Sequence, residues 1–414
     1  MDKAEFYYIS DTLKLILLPL PISTVSIGIA VPVGAINESD NEYGIAHLLE
    51  HMIFAGTTTK TSIQIDKEVE AMGAIINAYT NYYETVYYIH GNGKYSIKLI
   101  DIILDIYNNS IYPEDELKRE KNVVSEEIKT VYENSPGVKS YLTAIDILYN
   151  GVNERLRHHV AGYSNDILKY TRDNIINFKN KNYKEGYLVV SGHFDKDVIL
   201  NFLKKKFKSS IKAWKPSITK TSGKLIIPYA GNLNRIVKID NNIVQSYVSF
   251  YFRSVNNYSK WITHVGVLSY ILTGNLNSML SKVLRKDMGA VYSVDSYQRT
   301  HKDSGYFVIQ FSCNKDLTDK CINAVWTILD EVKKGNIEPS YLSVVKNLRE
   351  TRNLFIFENY DNYFDMVVNS LLNKKDLPNP KKVMNRIKSV KLYELKCLAN
   401  KLFNKDNSLL IIEG

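Results

Sequence analysis

The sequence predicts an α+β or α/β sandwich protein that contains two copies of one unit. Segments with strand character alternate with amphipathic helical segments along the 414 residues, which argues against a helix bundle or a barrel. A Met-Gly-Ala tripeptide precedes a strand-rich stretch twice, at Met72 and, 216 positions later, at Met288. Residues 214–224 are rich in Pro, Gly, Ser and Thr, as in a linker, and predict domains at 1–213 and 225–414.

The two copies contain similar elements in the same order, and this order supports a duplication better than the tripeptide does. Each copy has a strand, one or two helical patterns, Met-Gly-Ala and then two further strands. The predicted strands lie at 24–33, 75–80 and 84–89 in the first copy, and at 246–252, 291–294 and 305–309 in the second. The predicted helices include 114–132, 165–180, 195–207, 319–334 and 340–357.

Composition and charge exclude several classes of protein. The net charge of +9 comes mostly from Lys, whereas proteins that read nucleic acids rely on Arg, so a solvated surface explains the charge better. Three unpaired-looking cysteines exclude a disulfide framework and a Cys-based zinc site. Prolines interrupt the apolar stretch 15–36, which predicts two strands rather than a membrane helix. Acidic residues near the start argue against a signal peptide or presequence, so we expect a soluble, intracellular protein without nucleic-acid or membrane partners.

The segment 44–54 is a predicted helix that carries a zinc-binding pattern. Its apolar residues recur at i, i+3, i+4 and i+7, and this face is predicted to be buried. His47, Glu50 and His51 lie together on an adjacent face, and two imidazoles one turn apart can bind one zinc ion at about 2.0–2.1 Å. Glu50 would then accept a proton from bound water. The alternative is that both residues are ordinary surface histidines without a metal. A third ligand is needed to favour the zinc site over this alternative.

The helix predicted at 114–132 supplies candidates for that ligand. Glu120 and Glu127 lie on or beside its apolar face, where a carboxylate is costly unless it is paired or bound to a metal. Glu126 lies away from that face and is predicted to be solvated. We therefore predict Glu127 as the third ligand and Glu120 either as a carboxylate that orients a ligand or as a structural partner. Two histidines, one glutamate and an open water position are typical of a catalytic zinc site.

These motifs resemble the M16 metallopeptidases, the family of pitrilysin, insulin-degrading enzyme and mitochondrial processing peptidase. His-x-x-Glu-His is the inverted zinc motif of the inverzincins. The resemblance covers nearly the whole chain, and the 75 residues between His51 and Glu127 match the spacing of the family's ligand glutamate. The matching stretches are 41–57, 70–80, 84–88, 117–128 and 272–292.

The resemblance implies an α+β fold of two homologous αββαββ sandwich domains, the class of M16 and LuxS-like proteins. It also implies a zinc endopeptidase that cleaves short or unfolded polypeptides in an enclosed chamber, with zinc-activated water as nucleophile and Glu50 as general base. Arg285 and Tyr292 occupy the family's positions for binding the peptide and the reacting carbonyl. Asn77, Ala78 and Tyr79 resemble the edge strand that pairs with the substrate backbone.

The resemblance implies further features of the assembly. The second copy lacks the zinc motif, so we expect one Zn2+ per chain. Half-length members pair as homodimers or as heterodimers with a related chain. Two alternatives stay open, namely a zinc-binding structural or assembly subunit, and a processing-peptidase subunit that requires a partner chain.

Overall fold

The computed structural model describes residues 4–133, 137–231, 233–240 and 242–414, apart from the side chain of Tyr360. The strands are β1 (Glu5–Tyr8), β2 (Leu13–Pro19), β3 (Thr24–Val31), β4 (Ile75–Thr80), β5 (Thr85–Asn92), β6 (Gly186–Gly192), β7 (Lys212–Ala213), β8 (Arg235–Ile239), β9 (Gln245–Arg253), β10 (Val291–Thr300), β11 (Gly305–Asn314) and β12 (Ser408–Glu413).

The helices flank these strands along the chain. They are α1 (Ile45–Met52), α2 (Ser62–Ala71), α3 (Ser96–Asn109), α4 (Glu114–Glu127), α5 (Val138–Tyr149), α6 (Ser164–Ile167), α7 (Arg172–Asn182), α8 (Lys196–Phe207), α9 (Ile262–Thr273), α10 (Thr318–Lys334), α11 (Pro339–Glu358), α12 (Tyr360–Leu372), α13 (Pro380–Ser389) and α14 (Leu392–Leu402). Two segments, Ile128–Glu133 and Ser281–Asp287, are π-helical. Across the described residues, no helix has both the length and the apolar character needed to cross a membrane.

The described residues form two compact units that interleave along the chain, because each unit contains a helix from a distant part of the sequence. The first unit takes its residues from Met1–Asn134, His158–Ile218 and Ile356–Pro378, and the second from Ser135–Arg157, Thr219–Phe355 and Asn379–Gly414. The sequence domains 1–213 and 225–414 stay a prediction.

The first unit is a sheet with helices on both faces. Its strand order is β4-β5-β3-β6-β2-β1-β7, and the central β3 is buried from Val25 to Val31. One face packs against α1, α3, α4, α7 and α8, and α12 covers the other. The approach of α12 is close, because a Cβ added to Gly28 of β3 would lie 2.7 Å from the ring of Phe364. Glycine at position 28 therefore allows the sheet to be covered on its second face.

The second unit repeats the topology of the first, which confirms the predicted fold class. Its strand order is β10-β11-β9-β12-β8, equivalent to β4-β5-β3-β6-β2, and in each sheet the last of these pairs is parallel and the others antiparallel. Gly73 and Gly289, from the two Met-Gly-Ala tripeptides, both have positive φ, at 62° and 58°. This left-handed conformation before the first strand of each pair explains why both copies have glycine there.

Several predicted elements differ in detail from the structure. The helix predicted at 114–132 is α4 followed by the π-helical segment, and Val131 in that segment is exposed. The helix predicted at 165–180 is two helices, α6 and α7, because the chain turns before Thr171, whose side chain caps α7. The stretch 15–36 contains β2 and β3, as predicted.

We expect that Phe364→Ala will lower the free energy of unfolding by about 3–5 kcal/mol, because it removes a buried ring and leaves a cavity between α12 and the sheet. Phe364 is 1% exposed. Urea denaturation of the full chain measures the change. Phe355→Ala is the matched control, because this ring is 64% exposed and its loss should change the free energy by no more than about 0.5 kcal/mol. Equal losses in the two variants would contradict the close packing of α12.

Candidate metal centre

The helix α1 presents an apolar face to the core and a polar face to the candidate site. Ile45, Leu48, Leu49 and Met52 are all buried in the core of the first unit. The helix begins after Gly44, which has φ 84°, and a Cβ there would lie 2.3 Å from the carbonyl oxygen of Ala161. This close approach fixes the start of the helix. Because the apolar face of α1 is buried in the core, His47, Glu50 and His51 face α4 and β4.

The structure brings together the three predicted ligands, His47, His51 and Glu127. The Nε2 atom of His47 lies 3.9 Å from Oε1 of Glu127, and Nε2 of His51 lies 3.6 Å from Oε2. One donor atom of each residue lies within 4.8 Å of the other two, and no other such group occurs among the described residues. Ligand atoms about 2.0–2.1 Å from a tetrahedral zinc ion lie about 3.4 Å apart, so these donors need only small movements to bind one ion.

Glu120 contacts His51 on the side of the ring that faces away from Glu127. Its Oε2 lies 3.2 Å from Nδ1 of His51, so this nitrogen is paired with a carboxylate and Nε2 faces Glu127. A carboxylate on the second nitrogen orients the ring of a metal-binding histidine and makes it more basic. The pairing therefore fits a zinc ligand. His47 has no such partner among the described residues, since its buried Nδ1 forms no hydrogen bond there.

The two histidines have opposite electrostatic environments. Burial and the neighbouring His51 lower the pKa of His47 to about 4. Burial also acts to lower the pKa of His51, but the hydrogen bond with Glu120 and the nearby carboxylate of Glu127 outweigh it and raise this pKa to about 9. The same contacts with His51 lower the pKa of both carboxyl groups. The site thus carries two carboxylates whose negative charge is suited to a cation.

Glu50 lies beside the ligands without joining them. Its side chain is buried, and Oε2 accepts a hydrogen bond of 2.6 Å from the hydroxyl of Thr80 on β4. Burial raises the pKa of Glu50, and the hydrogen bond from Thr80 acts in the opposite direction. A buried carboxylate that is held in place beside a metal site is suited to accept and return a proton.

Glu38 anchors the start of α1, and no pattern in the sequence indicated this role. This buried carboxylate accepts hydrogen bonds from the backbone N–H groups of Gly44 at 3.0 Å and Ala46 at 2.9 Å. Burial raises its pKa to about 8, although the two backbone bonds lower it. Residues that cap a helix usually stand directly before it, and Glu38 stands six residues before Gly44, so the capping rules gave no signal.

Two adjacent histidines in a polar stretch of the sequence, His158 and His159, are fully and partly buried, respectively. His158 is buried against Tyr43, with ring centroids 4.0 Å apart, and the ring of His159 lies 3.5 Å from that of Tyr132. Burial and the nearby His47 lower the pKa of His159 to about 4. Their polar sequence neighbours gave no indication of this burial, since it depends on how the loop folds back on the π-helical segment.

The residues predicted to bind substrate lie on β4, an edge strand of the first sheet. Asn77, Ala78 and Tyr79 pair with β5 on one side only, so the other side of the strand has no strand partner among the described residues. Asn77 is exposed, Ala78 packs against the core that includes α1, and Tyr79 lies on the opposite face near Tyr88. The geometry is compatible with strand addition, and the binding role stays a prediction.

Arg285 and Tyr292 lie together in the second unit. Arg285 belongs to the π-helical segment Ser281–Asp287, and Tyr292 follows at the start of β10. The guanidinium carbon lies 5.2 Å from the centre of the tyrosine ring, and Tyr292 is 84% exposed. An exposed phenol beside a guanidinium group can bind a carbonyl oxygen, and the role of both residues in catalysis stays a prediction.

Comparison with known proteins gives the same family for both parts of the chain. Residues 19–156 match the family described as insulinase (peptidase family M16), and residues 169–348 match the peptidase M16 inactive domain. A protein of Rickettsia felis described as an uncharacterized zinc protease is 28% identical over 395 residues, which are 94% of this chain and 92% of that protein.

Part of the chain is similar in sequence to a processing-peptidase subunit, and the whole chain is similar in fold to a solved structure. The beta subunit of the rat mitochondrial-processing peptidase is 33% identical over 171 residues, which are 41% of this chain and 34% of that subunit. The crystal structure of a protease from Helicobacter pylori has a TM-score of 0.86 at 21% identity and covers 99% of each chain. This second likeness shows the fold alone.

We expect that Glu127→Gln will weaken zinc binding by more than about 100-fold, because it replaces a charged ligand, and that Glu120→Gln will weaken it by about 10–100-fold through His51. Competition with a chromophoric chelator measures both affinities. Glu126→Gln is the matched control, because the neighbouring carboxylate is 71% exposed at its side chain and pairs with Lys129 instead. Wild-type affinity in Glu127→Gln would refute the ligand assignment.

Proposed function

Because this chain belongs to the M16 peptidase family, we propose that it is a zinc-dependent endopeptidase for short or unfolded polypeptides. The observation that carries the proposal is the convergence of His47, His51 and Glu127 beside a buried Glu50. His47, His51 and Glu127 would hold a zinc ion and leave room for a water molecule beside it, as hydrolysis requires. A purely structural zinc site would have four protein ligands and no need for an adjacent base.

In this proposal the chain's own residues move the protons and orient the substrate. When bound, zinc supplies Lewis-acid chemistry that polarises a water molecule and the scissile carbonyl. Glu50 takes a proton from the attacking water and then gives it to the nitrogen of the leaving amine, so that the peptide bond breaks and the carboxylate is regenerated. The hydroxyl of Tyr292 stabilises the negative charge that develops on the carbonyl oxygen, and Arg285 holds a carbonyl group of the substrate.

The edge strand β4 supports the proposed preference for extended substrates. A peptide that adds to the free side of β4 must present its own backbone N–H and C=O groups, which are already paired inside a folded protein. Residues 77–79 would contact the backbone of the substrate, and backbone groups are nearly the same in every peptide sequence. We therefore propose that the endopeptidase has a broad sequence preference. We also propose that the chain pairs with a second identical or related chain around a chamber, as the family resemblance implies.

A second candidate function is a processing-peptidase subunit that requires a partner chain. The similarity of part of this chain to the beta subunit of a mitochondrial-processing peptidase favours it. The two candidates differ in what the purified chain does alone. Light scattering of the purified chain, together with peptide cleavage before and after a related chain is added, separates them.

We expect that Glu50→Gln will keep zinc and lose peptidase activity by at least about 10²–10⁴-fold, because the variant lacks the base and retains every ligand. Hydrolysis of a quenched library of unstructured peptides measures activity, and metal analysis of the same samples measures zinc. Glu126→Gln serves again as the control and should match the wild type. Zinc-loaded wild type without cleavage would favour a subunit that lacks a partner, and wild type that binds no zinc would refute the proposal.

Tyr292→Phe should lower kcat by about 10²-fold with little change in KM, because the lost hydroxyl donor acts on charge that develops only in the transition state. Steady-state kinetics with one peptide from the library separates the two constants. Tyr393→Phe is a suitable control, because this tyrosine is also exposed and lies on α14. A change confined to KM would assign Tyr292 to substrate binding instead.

A further inference from the structure

Glu50 is held by a residue that belongs to another element, the edge strand β4. Thr80 is the last residue of this strand, and its hydroxyl lies 2.6 Å from Oε2 of Glu50. The two residues are thirty positions apart in the sequence. No sequence pattern connects them, so the contact depends on how α1 and β4 pack.

The direction of the hydrogen bond follows from the neighbouring hydroxyl of Thr85. The side chain of Thr85 is fully buried and donates its proton to the carbonyl oxygen of Val33 at 2.9 Å. The contact between Thr80 and Thr85 is longer, at 3.4 Å, than the contact between Thr80 and Glu50. A hydroxyl has one proton to donate, so Thr80 donates it to the carboxylate of Glu50.

The position of Thr80 is fixed by packing as well as by hydrogen bonds. Alternation along β4 places Ile76, Ala78 and Thr80 on the same face of the sheet. Ile76 and Ala78 pack against the core cluster that contains the apolar residues of α1. This packing holds β4 and α1 together. Thr80 therefore cannot move away from Glu50 without disturbing the core between them.

We propose that Thr80 is a positioning residue, whose hydroxyl holds one carboxylate oxygen of Glu50 so that the base is aligned for proton transfer. The inference rests on the proposed peptidase function and adds a residue that is neither a metal ligand nor a proton acceptor. Without the hydrogen bond, the carboxylate rotates about its side-chain torsions and spends less time in the reactive orientation. Since a misplacement of about 1 Å can cost about 100-fold in rate, one hydrogen bond can have a large effect.

The same bond connects the base to the strand proposed to bind the substrate. A peptide that adds to the free side of β4 would contact the element that carries Thr80. The position of the base is therefore set relative to the bound peptide backbone rather than relative to α1 alone. This arrangement predicts that loss of the hydroxyl affects turnover and leaves binding of zinc and peptide nearly unchanged.

The test compares Thr80→Val, which removes the hydroxyl and keeps the side-chain shape, with Thr80→Ser, which keeps the hydroxyl. We expect kcat to fall by about 10–100-fold in Thr80→Val and to return to within about threefold of the wild type in Thr80→Ser, with KM changed by less than about threefold. Zinc content and melting temperature are measured for every sample. Thr24→Val is the matched control, because Thr24 is exposed at the start of β3 and should leave all four quantities unchanged.

Three results would overturn the inference. These are wild-type kcat in Thr80→Val, equal losses in the valine and serine variants, and a loss confined to KM or to zinc content. If Thr80→Val does not fold, Thr80→Ala replaces it, because alanine also lacks the hydroxyl. A wild type that fails to cleave peptides would overturn the proposed function and this inference together, whereas an active wild type with an equally active Thr80→Val variant would overturn the inference alone.

Discussion

The contacts between His51 and the two carboxylates of α4 are the constraint on which the candidate site depends. Glu120 lies 3.2 Å from one ring nitrogen and Glu127 lies 3.6 Å from the other. Each carboxylate would be costly in this partly buried position without a positive partner, whether a protonated imidazole or a metal ion. The need to satisfy these charges fixes the relative position of α1 and α4, and this position brings His47 within reach of Glu127.

The rest of the first unit holds α1 in place at its start and along its apolar face. Glu38 binds the backbone N–H groups at the start of the helix, and the apolar face of the helix packs into the core above the sheet. The helix is short, so its stability comes from these contacts rather than from its own propensity. A rigid support of this kind is what a metal site with an adjacent base requires, because the geometry must be present before the substrate binds.

Duplication explains why the described residues form two similar sheets and one candidate metal centre. The helix α9 follows β9 as α1 follows β3, but Thr263, Gly266 and Val267 stand where the first copy has His47, Glu50 and His51. The second copy therefore keeps the fold without the donors. The second unit has the same αβ framework without the charged cluster, and apolar residues around β9 and β11 form its core.

The sequence by itself determined the fold class and which residues are candidate donors of the metal site, because both depend on local periodicity. The spacing of His47, Glu50 and His51 places them on one helix face regardless of the surroundings, and the apolar pattern of α4 selects Glu127 over Glu126. The repeated order of elements likewise indicated the duplicated topology.

Tertiary structure decided the features that depend on contacts between distant segments. The bond from Thr80 to Glu50, the anchoring of α1 by Glu38 and the burial of His158 each join residues with no regular spacing. The interleaving of the two units along the chain is another such feature. The helices α5 and α12 each pack on a sheet whose strands lie far from that helix in the sequence. Periodicity determines which face of an element is apolar, but only packing decides which other element covers it.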